Sequence, residues 1–362
     1  MNAERESKRM KKIKNAVCFL FVFLFSFYLV SCSFFQNNSN ASEPKSKVYF
    51  DYFDTVSYIY SYSQDDDMVF EKKANSIGDI LMEYHRLFDI YNEYDGIPNL
   101  CTVNKQAGKS SVKVDKKLID FMKYAKDVYH LTDGKVNVMM GEVLSIWREC
   151  RDISVNTPEN AYVPSEDVLN EAKDHIDIAL LEIDEVESTL YISDPKASID
   201  VGALGKGYAA EKIAEQLEKD NLYGYVLNIG GNIKMIGKKA NGDGWITGIK
   251  HPYDPENKLA LKLDLSDTSC VTSGSYERYF TVDGKNYHHI IDVDTLFPAN
   301  HFLSVSVITD DSGLADALST ALFCMDYEKG LELISSLNGV DAVWIDLSGN
   351  ILYSENISKN VI

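Results

Sequence analysis

Three short segments carry residue types whose spacing suits chemistry. Ser198–Leu217, SIDVGALGKGYAAEKIAEQL, reads as a strand, a glycine-bearing turn and an amphipathic helix in that order. Gly202, Gly205 and Gly207 would let backbone approach a ligand, the helix N-terminus offers free N–H groups to a phosphate, and Lys206 adds a cation there. The spacing is not a Walker motif, which needs Ser or Thr after Gly-Lys, and it does not match GxGxxG. Taken alone, such a turn serves plain connection as readily as ligand binding.

The second segment is Leu314–Phe323, LADALSTALF, where Asp316 and Thr320 stand four apart on a predicted helix and share a face. A carboxylate and a hydroxyl so placed can hold a hard cation such as magnesium. They can equally be a dipole-complementing acid and a hydroxyl bonded back to a carbonyl. The third is His288-His289-Ile290-Ile291-Asp292, at the end of a predicted strand, where His289 and Asp292 suit proton transfer or metal binding but also an ordinary surface turn. Thr272-Ser-Gly-Ser-Tyr-Glu-Arg-Tyr279 and Asn228-Ile-Gly-Gly-Asn232 leave the same alternatives open.

The elements that must position these segments follow from periodicity. Lys47–Tyr62 alternates and is rich in aromatic and β-branched residues, as a strand or bent strand pair would be. Apolar residues recur at helical spacing over Met68–Asn92 and Lys116–Leu131, with a loop between them, and Ser165–His175 suggests a shorter polar helix. Beyond Ile178, short β-rich pieces appear at 178–183, 189–192, 225–229, 245–250, 259–265, 276–282, 287–291 and 304–309. Helices interrupt them at 207–221, 314–323 and 327–337. Hairpins mixed with helices predict an α+β fold with a largely antiparallel sheet.

With 362 residues and 45% hydrophobic composition, the chain can bury a large core. Acidic residues outnumber basic ones, 55 to 36, giving a formal net charge of -19 and arguing against nucleic acid as a partner. The first residues differ from the rest. Arg5, Lys8, Arg9, Lys11, Lys12 and Lys14 precede an apolar run from Ala16 to Val30, the layout of an export signal. That run is shorter than the ~20 residues a membrane-crossing helix needs. Leu29-Val-Ser-Cys32 resembles a bacterial lipobox, so residues 1–31 are expected to be removed and Cys32 lipidated. Residues 32–47 then form a polar tether, and 48–362 a single catalytic domain on the extracytoplasmic face of the cell membrane. Cys101, Cys150, Cys270 and Cys324 contain no CxxC pair, so neither a zinc site nor a dithiol motif is indicated.

Five segments in this order, DVGALGKGYAAE, LNIGGNI, TSGSYERYF, HHIID and ADALSTALF, closely resemble the ApbE-type FAD:protein FMN transferases. YFDTVSYIY, HRLFDIYNEYDGIPNLCTVN and LTDGKVNVMMGEVLSIW extend the likeness upstream, so it covers roughly Lys47 to the C-terminus. The resemblance implies an enzyme that passes the FMN half of FAD to a threonine hydroxyl of an exported or membrane redox protein. AMP is released, with magnesium or manganese at the pyrophosphate.

By motif match, the resemblance implies that Asp200 and Lys206 contact FAD and that Phe53, Tyr91, Lys135, Val136, Asn137 and Ile291 line it. It assigns the metal to the Ala203 carbonyl, Asp316 and Thr320. His289 would transfer the proton of the attacking hydroxyl, oriented by Asp292. Departures from the family pattern fall at Asn137 and Asn232, where acids are common, at Val293 and Leu296, and at Ala203, where some relatives have threonine. Two other activities fit the same segments: a hydrolase that splits FAD to FMN and AMP, and a lipoprotein that binds flavin without catalysis.

Overall fold

The alternating stretch near the start of the domain closes as a hairpin, β1 (Lys45–Tyr52) with β2 (Thr55–Ser61), in the computed structural model, which describes residues 44–253 and 259–362. The expected leader, Cys32 and most of the tether lie outside the described residues. The tether ends three residues early, because Lys45, Ser46 and Lys47 already pair with Ser61, Tyr60 and Ile59.

Helix α1 (Asp67–Phe88) starts where Asp66 accepts the Val69 N–H and buries Ile77, Leu81, Tyr84 and Leu87. It stops four residues before the periodicity does. The Asp89 carboxylate takes the N–H groups of Tyr91 and Asn92, turning the chain instead of continuing the helix. The stretch read as loop next contains α2 (Leu100–Lys105), set by an Asn99–Thr102 capping box. A two-residue strand β3 (Val112–Lys113), α3 (Lys116–Leu131), α4 (Gly141–Asn156) and α5 (Glu166–Lys173) follow. Of these, β3 and α4 were not predicted, although Val143, Trp147 and Cys150 give α4 a buried face.

Strand β5 (Thr189–Ile192) pairs with β3 on one side and β4 (Leu181–Asp184) on the other in a small sheet, and the piece expected to begin at Ile178 opens as a 3-10 turn. After α6 (Gly205–Lys219) come β6 (Tyr225–Ile229), β7 (Asn232–Ile236), β8 (Trp245–Lys250), β9 (Leu259–Leu265) and β10 (Ser269–Gly274). β11 (Tyr279–Val282), β12 (Lys285–His288), β13 (Phe302–Thr309), α7 (Ser312–Phe323), α8 (Tyr327–Ser336), β14 (Asp341–Asp346) and β15 (Ile351–Tyr353) complete the chain.

The main sheet has eight strands in the order β1-β2-β6-β7-β10-β13-β14-β15, each pair antiparallel, as expected. Alternation sends Val305 and Val307 of β13 into a core with α7 and Ile308 into another with the β8–β9 hairpin, which Leu303 joins because the pairing with β14 shifts register between Phe302 and Ser304. β13 is therefore buried along its whole length, and its neighbour α7 is buried on nearly every face. All four described cysteines are buried and unpaired.

Candidate active site

The segment before α6 lacks its expected strand. Ser198 makes one isolated bridge to Met140, and the Asp200 N–H donates to the Val138 carbonyl at 2.8 Å. The three glycines also divide in purpose. A Cβ at Gly207 would overlap the Asp316 Cβ and the Ser312 carbonyl, so this glycine lets α6 and α7 touch. A Cβ at Gly205 would press on the Phe88 ring at 3.3 Å. Only Gly202 is exposed, where it can admit a ligand to its backbone.

That close crossing delivers the Asp316 carboxylate to the head of α6. Its Oδ2 accepts the Gly207 N–H at 2.8 Å and lies 3.9 Å from the Lys206 Nζ, which itself donates to the Gly202 carbonyl at 3.2 Å. Burial raises the Asp316 carboxyl above the ordinary value; Lys206, the Gly207 N–H and the nearby Asn232 amide oppose the shift without cancelling it. The Asn232 Nδ2 is buried and makes no hydrogen bond of sound geometry. One turn along α7, the half-buried Thr320 hydroxyl stands 3.4 Å from Ser273 Oγ, which also meets Ser319 Oγ at 2.8 Å.

Lys206 and Arg278 are near enough to His289 to disfavour a charged ring. Neighbours crowd the imidazole while part of its surface stays open, and desolvation pushes its pKa down to about 4. Nδ1 lies 3.2 Å from the Arg278 carbonyl, which can only accept. The proton therefore sits on Nδ1 and leaves Nε2 as a free base. The adjacent His288 is structural: Nε2 donates to the Ala299 carbonyl at 2.8 Å and Nδ1 accepts the Ile290 N–H at 3.2 Å.

Asp200 and Tyr91 meet through Arg148, a residue the sequence reading passed over because its helix was not predicted. Its guanidinium donates to Asp200 Oδ2 at 3.2 and 3.3 Å and to the Tyr91 hydroxyl, and lies 5.1 Å from the Tyr91 ring centre. The other Asp200 oxygen accepts the Gly202 N–H at 2.9 Å, so Arg148 steadies the turn that carries Ala203. Phe53 occupies the β1–β2 turn with φ +55°, its ring against His85 and Phe88. Arg278 Nη2 reaches the neighbouring Asp54 carbonyl at 3.5 Å, tying that turn to the residue whose own carbonyl meets His289.

Asp292 does not orient His289. Its Oδ1 accepts from Lys135 Nζ at 2.9 Å and from the Asp294 N–H at 3.1 Å, because the turn after Ile291 folds the carboxylate back onto Lys135. Lys135 also pairs with Asp294 at 2.7 Å, and the group lies near Cys324, beyond the C-terminal end of α7. Val136 and Ile291 are both buried. Asn137 is committed locally, donating to the Ile176 carbonyl at 2.7 Å and accepting the Met139 N–H at 2.9 Å. A surface hollow of about 500 Å³ along α4 takes in Arg148 but none of the other candidate residues.

Among the described residues, no cluster of three or more His, Cys, Asp or Glu side chains suits a metal. Asp316 and Thr320, one turn apart on α7, offer oxygen donors around one incompletely compensated carboxylate, a chemistry that suits a hard divalent cation better than a soft one.

The antiparallel α+β domain thus brings a lysine, a buried carboxylate and a hydroxyl together where α6 crosses α7. Residues 54–344 match the ApbE family, and the chain belongs to it. It is 35% identical over 260 residues to the FAD:protein FMN transferase of Treponema pallidum, covering 68% of this chain and 70% of that one. To the FAD:protein FMN transferase of Klebsiella pneumoniae it is 28% identical over 277 residues, covering 74% and 84%. The solved ApbE protein of Thermotoga maritima has a TM-score of 0.77 at 27% identity over 88% of this chain and 99% of its own. The flavin transferase ApbE from Vibrio cholerae shares the fold, with a TM-score of 0.71 at 22% identity over 88% and 99%.

Proposed function

We propose that this chain is a magnesium- or manganese-dependent FAD:protein FMN transferase that flavinylates a threonine of a partner redox protein. The observation that carries the reading is the buried Asp316 carboxylate, held beside Lys206 at the head of α6, with neutral His289 within the influence of the same lysine. A divalent cation bound by Asp316, Thr320 and the Ala203 carbonyl would neutralise pyrophosphate charge. Lys206 and the start of α6 add positive potential to the same phosphates. Arg148 holds Asp200 and Tyr91 in place for the nucleotide.

His289 Nε2 takes the proton of the threonine hydroxyl as its oxygen attacks the phosphorus of the FMN half. The new bond is threonine O–P, the bond broken joins that phosphorus to the bridging oxygen, and AMP leaves with the bridging oxygen. The open surface of His289 gives the acceptor its approach.

The full chain in detergent, given FAD, magnesium and a threonine-bearing acceptor, is expected to release AMP and add FMN mass to the acceptor in equal amounts. AMP without acceptor labelling would make the protein a hydrolase, and intact FAD after long incubation would make it a binding protein. The lipobox reading extends the proposal to an extracytoplasmic lipid anchor at Cys32. Cys32→Ser should then shift the protein from the membrane fraction and abolish its N-terminal lipid mass.

A further inference from the structure

Phe53 and Tyr91 come from segments far apart in sequence, yet one hydrogen-bonded relay links their backbones. The Phe53 N–H donates to His85 Nδ1 at 3.2 Å, and His85 Nε2 lies 3.4 Å from the Tyr94 hydroxyl. Tyr94 donates to Asp89 Oδ2 at 2.7 Å, and Asp89 Oδ1 accepts the Tyr91 N–H at 2.7 Å. The protons have one consistent arrangement. Nδ1 must be bare to accept from Phe53, so Nε2 carries the hydrogen and donates to Tyr94, whose own hydrogen is spent on Asp89.

The turn at one end of this relay needs an anchor. Phe53 and Asp54 are consecutive non-glycine residues at φ +55° and +49°, the left-handed region that two-residue hairpin turns demand and that glycine and asparagine fill most easily. Nothing in their side chains favours that conformation in Phe53, whereas the His85 bond to its N–H holds it there. The ring of His85 also packs edge-on to Phe53, with centroids 5.8 Å apart. At the far end, Asp89 is buried; burial alone would raise its carboxyl, but bonds from Asn92, Tyr91 and Tyr94 hold it below the ordinary range.

We propose that His85 is a positioning residue for flavin binding, clamping the Phe53 turn and the Tyr91 loop into one ring-binding wall through its two nitrogens. The inference rests on the reading that Phe53 and Tyr91 line the flavin. His85 touches the wall and not the reacting atoms, so its loss weakens FAD binding without slowing chemistry once FAD is bound.

The test measures FAD affinity by fluorescence quenching and steady-state AMP release on full-chain variants. His85→Phe keeps a ring but neither nitrogen, and should raise Kd and KM for FAD about tenfold with kcat within about threefold. His85→Asn places an oxygen acceptor near the former Nδ1 and should recover most of that affinity. Asp54→Gly, which relieves half of the strained turn, should partly rescue His85→Phe. Unchanged FAD affinity in His85→Phe, or a loss that falls equally on kcat, overturns the clamp, as does a loss that neither His85→Asn nor Asp54→Gly mitigates. Wild-type protein that binds no FAD would instead sink the functional reading itself.

Discussion

The two halves of the proposed flavin site, a phosphate side and a ring side, are built by opposite means. The phosphate side rests on α6 and α7, packed so tightly that Gly207 has no room for a Cβ, and its polar groups emerge from buried helix. The ring side rests on a hairpin turn and a loop, where half-exposed Tyr91 and left-handed Phe53 are fixed by hydrogen bonds through His85, Asp89 and Arg148. Rigid helix placement suits the region where charge changes during phosphoryl transfer, since misplacement there costs rate. Hydrogen-bonded loops suffice where a flat ring must be held. The contrast predicts that damage to the first half lowers kcat and damage to the second raises KM.

The largest expected effect lies on the phosphate side. Asp316→Asn keeps the shape and removes the charge, and should reduce metal-dependent AMP release by about 10³-fold or more. Stability should behave differently. Because the folded state raises the Asp316 pKa, the ionised carboxylate costs stability in metal-free protein as pH rises past the ordinary 3.8. The variant should therefore melt no lower than wild type without metal, while magnesium raises the melting temperature of wild type alone. A variant still stabilised by magnesium would place the ion elsewhere.

A pH profile separates His289 from other bases. With its pKa pushed down to about 4, the imidazole is neutral across the physiological range and charges only as pH falls through that value. The acid limb of kcat/KM assigned to it should lie near pH 4, and a limb between pH 6 and 7 would assign proton transfer to another group.

Packing damage comes next in size. Gly207→Ala forces α6 and α7 apart and should cost about 1–3 kcal/mol in denaturant unfolding, with kcat falling because Asp316 moves. Gly202→Ala is the matched control, since a Cβ there meets only Asp200 Oδ1 at 3.2 Å, and its cost should stay below about 0.5 kcal/mol. Equal costs at the two glycines would erase the distinction between helix contact and ligand access.

How much of this was readable in advance follows from where each signal resides. The strand pair, α1, α3, α6 and the antiparallel sheet were legible because one face of each element is apolar at the period of its backbone, and α7 because it is apolar on nearly every face. β7, β10, β14 and β15 escaped: Asn232, Ser269 and Ser273 interrupt two of them, and β15 is only three residues long. The role of Gly207 was misjudged because a glycine that spares a neighbour from overlap looks, in sequence, like one that spares a ligand. Lys206 and Asp316 do meet, whereas Asp292 turned to Lys135 and not to His289, a choice made by a turn whose geometry no local pattern encodes. His85 and Arg148 had no signal at all, since each matters through partners distant in sequence.

The smallest effect sharpens the ring-side account at a departure from the family pattern. Asn137, where the family resemblance leads one to expect an acid, donates its Nδ2 to the Ile176 carbonyl while its Oδ1 accepts the Met139 N–H. An aspartate keeps the second bond but turns an oxygen toward a carbonyl oxygen that needs a donor. The side chain is half-buried, so Asn137→Asp should cost about 1 kcal/mol, or about 2 °C in melting temperature for a domain of this size. The cost should shrink as pH falls and the new carboxyl gains a proton to donate. KM for FAD should rise by less than about threefold, because the turn over Lys135–Asn137 loosens without losing a side chain that faces the ligand. A gain in FAD affinity would mean that Asn137 faces the nucleotide directly and that its bond to Ile176 is secondary.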